Sequence, residues 1–154
     1  MPRPPKKRMI KNIPEVKFFK PAGIPMRELS EINLSLEEVE AIRLKDVKNL
    51  TQEEAAKKME VSRPTYQRIL VSAREKIAQA LIKGKAIRFQ GGDYHLVRGT
   101  YRCLNCDHIF KLPGRRARRG RGRGRGRGNW IQNKNICPNC GETSVSYLNE
   151  NEQD

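Results

Sequence analysis

The sequence predicts a mainly α N-terminal helix-turn-helix domain, then a small β module of zinc-ribbon type, with disordered basic segments around them. Three observations lead there. Leu50 to Leu70, LTQEEAAKKMEVSRPTYQRIL, contains two capped apolar periodicities separated by only a few residues. Cys103-Leu-Asn-Cys106 and Cys137-Pro-Asn-Cys140 are paired Cys-x-x-Cys turns. The formal net charge of +15 is unevenly distributed: residues 1–20 hold seven basic side chains and one acidic one, residues 62–102 nine and two, and residues 115–128 eight and none. With 36% hydrophobic and 6% aromatic residues, 154 residues cannot build one large core. Small modules are expected rather than an enzyme with a deep pocket.

Taken in order, residues 1–15 are rich in Pro and Lys/Arg and are expected to form a mobile arm. Such an arm either solubilises the chain or follows a DNA backbone or minor groove. The helix-turn-helix domain is assigned to residues 16–98. Val16 to Phe19 is a short apolar run suited to packing on the core, and the two prolines and glycine of Lys20 to Pro25 predict an irregular connection. Ser35 and Glu38 form a capping box before Leu36, Val39, Ile42 and Leu44 at helical spacing. Glu37, Glu38 and Glu40 are expected on the exposed face of that supporting helix, turned away from any polyanion.

Thr51 and Glu54 make a second box, with Leu50 and Ala55 as a staple and Ala55, Ala56 and Met59 as the apolar face. A third helix is expected to start at Ser62. Tyr66, Ile69, Leu70, Ala73, Ile77, Ala80 and Leu81 supply its apolar side until Gly84 ends it. At 100° per residue from Tyr66, the opposite side holds Pro64, Gln67, Arg68, Val71 and Glu75. The N-terminal part of that side suits a DNA groove, which makes Arg63, Thr65, Gln67 and Arg68 contact candidates: Gln for adenine edges, Arg for guanine or phosphate, Thr for phosphate or a thymine methyl. Arg74 and Lys76 flank this side and are assigned to phosphates.

Residues 35–81 resemble region 4 of bacterial sigma factors, whose helix-turn-helix reads the promoter −35 element. Several further stretches bring in a closer resemblance over about residues 2–94. PRPPKKR, FFKPAGIP at 18–25, Leu36 to Leu44, Ser-Arg-Pro-Thr at 62–65 and GKAIRFQGGDY at 84–94 are similar to a prokaryotic family known as domain of unknown function 134, or uncharacterised protein family 0251. That family is described only as DNA-binding, so the resemblance implies a fold and a class but no target. In one respect the chain departs from the usual helix-turn-helix: Glu60 occupies the turn position that commonly holds glycine. Two outcomes are open there: Glu60 takes the left-handed conformation at a cost of about 1 kcal/mol, or the turn has a different geometry.

Beyond Gly84, residues 86–90 and 94–97 flank Gly91-Gly92 and predict a hairpin, with His95 as a strand residue. The ribbon-like module is assigned to residues 99–148. Cys103, Cys106, Cys137 and Cys140 fit a tetrahedral tetrathiolate, and Tyr101, Ile109, Phe110, Ile136, Val145 and Tyr147 fit a small core around it. Structural Zn²⁺ is expected in preference to disulfides or free thiols, because four cysteines in paired spacing are specific and the compartment is expected to be the reducing cytoplasm. Met1 to Arg8 is basic with no apolar run behind it and so is not expected to act as a secretory signal. Iron is the rival ion, since about thirty residues between the pairs also approaches rubredoxin spacing. The four thiolates leave no place for His108. The Arg-Gly loop at 114–128 interrupts the module; it is expected to be disordered and to serve as a phosphate-binding strap. An acidic tail, 149–154, follows.

The leading expectation is a sequence-specific double-stranded DNA-binding protein acting as a transcriptional regulator. Two alternatives stay open: an RNA or single-stranded nucleic-acid binder in which the Arg-Gly loop and ribbon dominate while the helices meet a partner such as RNA polymerase, and a metal- or redox-responsive switch. A homodimer is compatible with the motif but no heptad seam establishes it. No membrane partner is expected, since no run of about 20 apolar residues occurs. No acid pair, nucleophile and base, or phosphate loop with defensible spacing supports catalysis.

Overall fold

A computed structural model describes residues 7–112 and 136–148. Among these residues are three α-helices and eight strands in three small sheets, a mixed α/β arrangement where the sequence predicts a mainly α domain. Residues 1–6 of the expected arm, the Arg-Gly loop and the tail lie outside the described residues.

Local capping chemistry sets the helix boundaries. α1 (Leu36–Ile42) opens on a reciprocal box in which the Glu38 amide donates to Ser35 Oγ at 3.3 Å and the Ser35 amide donates to Glu38 Oε2 at 2.9 Å. A π-helical segment, Arg43–Val47, extends it. α2 (Gln52–Met59) repeats the device with Thr51 and Glu54, at 3.2 and 2.8 Å. Capped by Ser62, α3 (Arg63–Lys83) stops at a left-handed Gly84. At 1.5 Å per residue α3 is about 32 Å long against about 12 Å for α2, so its last turns outrun the other helices. Tyr66, Ile69, Leu70, Ala73 and Ala80 are buried as the periodicity predicts, but Leu81 is 75% exposed for this reason.

The three helices enclose a core that includes Leu44, Ala56, Met59, Tyr66 and Leu70. Inside it the Tyr66 hydroxyl donates to the Ala41 carbonyl at 2.7 Å. The expected acidic outer face of α1 is not formed. Glu38 and Glu40 are 7% and 2% exposed, and Glu37 is half-buried beside Arg8. Each carboxylate has a cation to meet in the fold, which makes its burial tolerable.

Strands hold the helical unit at both ends. β3 (Glu31–Leu34) and β4 (Ala86–Phe89) pair in parallel, Glu31 opposite Ala86 and Leu34 opposite Phe89, so the whole helical unit is the crossover between neighbouring strands. β2 (Phe18–Phe19) joins the other edge of β4 antiparallel. Its apolar run packs only in part, with Val16 58% and Phe19 49% exposed. β5 (Tyr94–Leu96) does not fold back on β4 as a hairpin; it pairs in parallel with β1 (Arg8–Ile10). Gly91 and Gly92 both have positive φ, and the Gly91 carbonyl accepts the Leu36 amide at 3.0 Å. The connection is thus spent on the start of α1, and β5 leaves in another direction.

The pairing of β1 also revises the expected arm, since Ile10 and Ile13 are 0% and 2% exposed. They join Leu36, Leu96, Tyr101 and Val145 in a second core. Tyr101 comes from β6 (Gly99–Cys103) and Val145 from β8 (Val145–Leu148), which with β7 (Ile109–Leu112) form an antiparallel sheet in the order β7-β6-β8. The cysteine-bearing sheet therefore shares its apolar face with the N-terminal segment. Ile109, expected inside, is 53% exposed. Among the described residues no helix is long and apolar enough to cross a membrane.

Candidate functional site

Two places in the fold concentrate chemistry: the outer side of α3 and the cysteine cluster. The link from α2 to α3 is Glu60, Val61 and Ser62. Glu60 adopts φ 54° and ψ 42°, the left-handed conformation that the position requires. Its amide donates to the Lys57 carbonyl at 3.1 Å and the Val61 amide to the Ala56 carbonyl at 3.0 Å, the paired bonds of a Schellman ending. Val61 packs on the core that contains Ala56, so the turn is anchored. Ser62 Oγ accepts the Thr65 amide at 3.3 Å and donates to Thr65 Oγ1 at 2.8 Å.

The six candidate side chains on α3 divide into three pairs. Gln67 and Arg68 are exposed and, with Pro64, Val71, Ser72 and Glu75, line one shallow outer surface, the side opposite Tyr66. Arg63, also exposed, lies 3.2 Å from Glu53 of α2, and Thr65 is half-buried with its hydroxyl against Ser62. Arg74 and Lys76 are drawn into the protein's own ion pairs. The Arg74 guanidinium reaches Asp46 as a fork, with Nε 3.2 Å from Oδ2. Lys76 Nζ sits 2.9 Å from both oxygens of Glu38, to which Ser72 also donates at 2.8 Å. Burial raises the Glu38 carboxyl, but the bonds from Lys76, Ser72 and the Ser35 amide outweigh it and leave its pKa below 4.5. Sequence periodicity locates these two cations on the helix but carries no sign of partners 28 and 38 residues away.

At the other place, two knuckles face each other. In the first, the Asp107 amide donates to the Cys103 carbonyl at 3.0 Å with Asp107 left-handed; in the second, Gly141 does the same to Cys137 at 2.9 Å. Cys103 and Cys137 are buried and Cys140 is exposed. All four Sγ atoms lie within 4.8 Å of one another, with Cys103 to Cys140 at 3.5 Å and Cys106 to Cys137 at 3.7 Å. A tetrahedron with metal–sulfur bonds of about 2.3 Å has sulfur–sulfur edges of about 3.8 Å, so the cluster could hold a metal ion. The donor set does not choose between zinc and iron. Asn139 Nδ2 approaches Cys106 Sγ at 3.5 Å, and this contact leads in lowering the Cys106 thiol to about 6, while burial pushes Cys103 up to about 11. His108 stacks on Phe110 and is not in the cluster, and His95 lies in β5 opposite Met9.

The family model described as "Protein of unknown function DUF134" matches residues 1–97. Among curated proteins, a UPF0251 protein of Halothermothrix orenii is 63% identical over 113 residues, covering 73% of this chain and 84% of its own. Another, from Moorella thermoacetica, is 51% identical over 146 residues, 95% of this chain and 87% of its own, and so extends through the cysteine sheet. A third, from Clostridium botulinum, is 42% identical over 145 residues, 94% and 82% respectively. No solved structure matches.

Proposed function

This chain belongs to the DUF134 family, also called UPF0251, and we propose that it is a sequence-specific double-stranded DNA-binding protein that regulates transcription. The observation that carries this is the α2–turn–α3 arrangement. Two helices meet through three residues on a shared core, and the longer one turns Gln67 and Arg68 to solvent near its N-terminal end. In this reading α2 to α3 is a helix-turn-helix similar to sigma region 4, with Gln67 and Arg68 at base edges and Arg63 and Thr65 at the backbone. The basic N-terminal residues and the Arg-Gly segment add salt-sensitive affinity from the sequence's charge alone. Arg74 and Lys76 serve α3's placement instead. Catalysis has no part in this proposal.

Selection from random duplexes, followed by binding of the selected duplex at several salt concentrations, tests it. A defined recognition sequence is expected, with selectivity relaxed in Gln67→Ala and Arg68→Ala. Equal binding to all duplexes, unchanged by either substitution, sinks the proposal. Tighter binding to single strands at matched salt would favour the RNA or single-strand alternative.

The cysteine cluster is read as a structural Zn²⁺ site, with iron as the competing ion. One observation supports a metal-responsive version. Tyr101 and Val145, on the strands that end at Cys103 and follow Cys140, pack with Ile10 and Leu36. Loss of metal would then loosen the packing beneath β1 and the start of α1 as well as the knuckles. Metal removal that changes duplex affinity supports this version; removal without any change in affinity restricts the metal to local folding.

A further inference from the structure

The antiparallel sheet β7-β6-β8 has two unlike faces. Side chains alternate along each strand, so the register sorts them. Tyr101, Cys103 and Val145 belong to the inner face and are each 0% exposed, and Phe110 and Tyr147 pack beside Tyr101 in the second core. The outer face carries Thr100 and Arg102 of β6, Ile109 and Lys111 of β7, and Ser146 and Leu148 of β8. Arg102 stands opposite Ile109 on one side and Ser146 on the other, while Thr100 stands opposite Lys111 and Leu148. Arg102 and Lys111 are exposed, and among the described residues neither meets a carboxylate. The acidic residues of the module within the described range, Asp107 and Glu142, lie in the two knuckles, where Glu142 accepts the Thr143 amide at 2.9 Å.

Two cations thus share one sheet face with hydroxyls and apolar side chains and with no carboxylate, which makes the face complementary to a polyanion. The three aromatic residues on these strands, Tyr101, Phe110 and Tyr147, all belong to the other face, so the bases of a single strand would find no stacking platform here. We propose that this face binds the sugar-phosphate backbone of duplex DNA, with Arg102 and Lys111 on neighbouring phosphates and the Thr100 and Ser146 hydroxyls as further donors. Arg102 and Lys111 are diagonal neighbours on adjacent strands, about 7–8 Å apart in the backbone, which lets their long side chains reach adjacent phosphates of one strand. Backbone contacts of this kind carry no sequence information. The face therefore adds affinity for any duplex and does not depend on base reading by α3.

Fluorescence anisotropy of the full chain on a labelled duplex of arbitrary sequence, across a series of sodium chloride concentrations, tests the assignment. Two charge-matched variants are compared: Arg102→Gln/Lys111→Gln on the sheet and Lys20→Gln/Lys83→Gln elsewhere, all four being exposed side chains. The thermal midpoint and the bound metal check that the sheet variant keeps its fold. For the sheet pair, the slope of log affinity against log salt is expected to become shallower by about 2, at about 0.9 per phosphate contact, and the control pair is expected to change it by less than about 0.5. Lys111→Gln alone, which leaves the neighbour of Cys103 in place, is expected to give about half of the change. A sheet pair that leaves the slope unaltered, or a control pair that alters it equally, overturns the proposal. So does a loss confined to single strands of matched length. Because the arbitrary duplex holds no selected sequence, a failure of base reading by Gln67 and Arg68 would leave this result standing.

Discussion

Lys76, on the long helix α3, places its ammonium 2.9 Å from both carboxylate oxygens of Glu38, on the first turn of α1. Glu38 at the same time closes the capping box of α1 and accepts from Ser72. One carboxylate thus caps the start of α1 and ties it to the middle of α3, whose inner side is fixed by Tyr66, Ile69, Leu70 and Ala73.

Replacing Glu38 by Gln is therefore expected to cost about 1–3 kcal/mol, the range for losing a charged hydrogen-bond partner. Thermal denaturation checks it. Because the folded-state pKa of Glu38 is lowered, its contribution is present at neutral pH and is lost as pH falls below 4.5. Glu37 has the opposite sign: burial raises its pKa despite Arg8, so its contribution is greatest below 4.5 and is lost as pH rises through the raised value. Glu37→Gln is expected to cost less than Glu38→Gln at pH 7. A larger loss for Glu37→Gln would contradict these assignments.

Lys76→Ala and Arg68→Ala separate support from contact. The first is expected to lower stability and leave affinity for a selected duplex nearly unchanged. Arg68→Ala is expected to leave stability nearly unchanged and to remove about 1–3 kcal/mol of discrimination between bases. Equilibrium binding to matched and mismatched duplexes, beside denaturant unfolding, distinguishes them.

Glu60→Gly is expected to stabilise the protein by roughly 0.5–1 kcal/mol, because a left-handed φ of 54° costs a side-chain-bearing residue more than the added chain entropy of glycine. Glu60→Val is expected to destabilise it, since a β-branched residue tolerates that conformation worst. Chemical denaturation of the two variants gives the comparison.

Gly92→Ala is expected to cost about 1–3 kcal/mol. Its φ is 110°, and an added Cβ would come 3.1 Å from Ser35 Cβ, at the N-cap of α1. The loss should appear as earlier amide exchange at the first turn of α1 and along β5.

One equivalent of metal per chain is expected by elemental analysis, reduced by Cys103→Ser or Cys137→Ser, whose side chains are the buried members of the cluster. Because Tyr101 and Val145 share a core with Ile10, amide protection in β1 is expected to fall with metal removal. Unchanged protection there would confine the metal's effect to the knuckles.

Much of the local structure was legible beforehand. Ser35, Thr51 and Ser62 are N-caps because short side-chain oxygens satisfy amides that the first helical turn leaves unpaired. Periodicity from Tyr66 identified the buried and outer sides of α3, and the two Cys-x-x-Cys turns identified the cluster. Its reach ended where neighbours distant in sequence take over: Leu81 repeats at core spacing, yet no other helix extends far enough to cover it.

By itself the sequence determined the caps, the outward side of α3 and the four cysteines, all of which depend on residues within a turn or two of one another; the left-handed conformation of Glu60 was left open by the sequence and is set in the folded chain. Tertiary structure alone decided that β4 and β5 part at Gly91-Gly92, that β1 carries part of the second core, that Glu38 and Glu40 are buried, and that Arg74 and Lys76 face partners in the protein. Strand pairing and ion pairing of this kind depend on spatial neighbours up to 86 residues apart, as between Arg8 and Tyr94, and their energies leave no local periodicity to read.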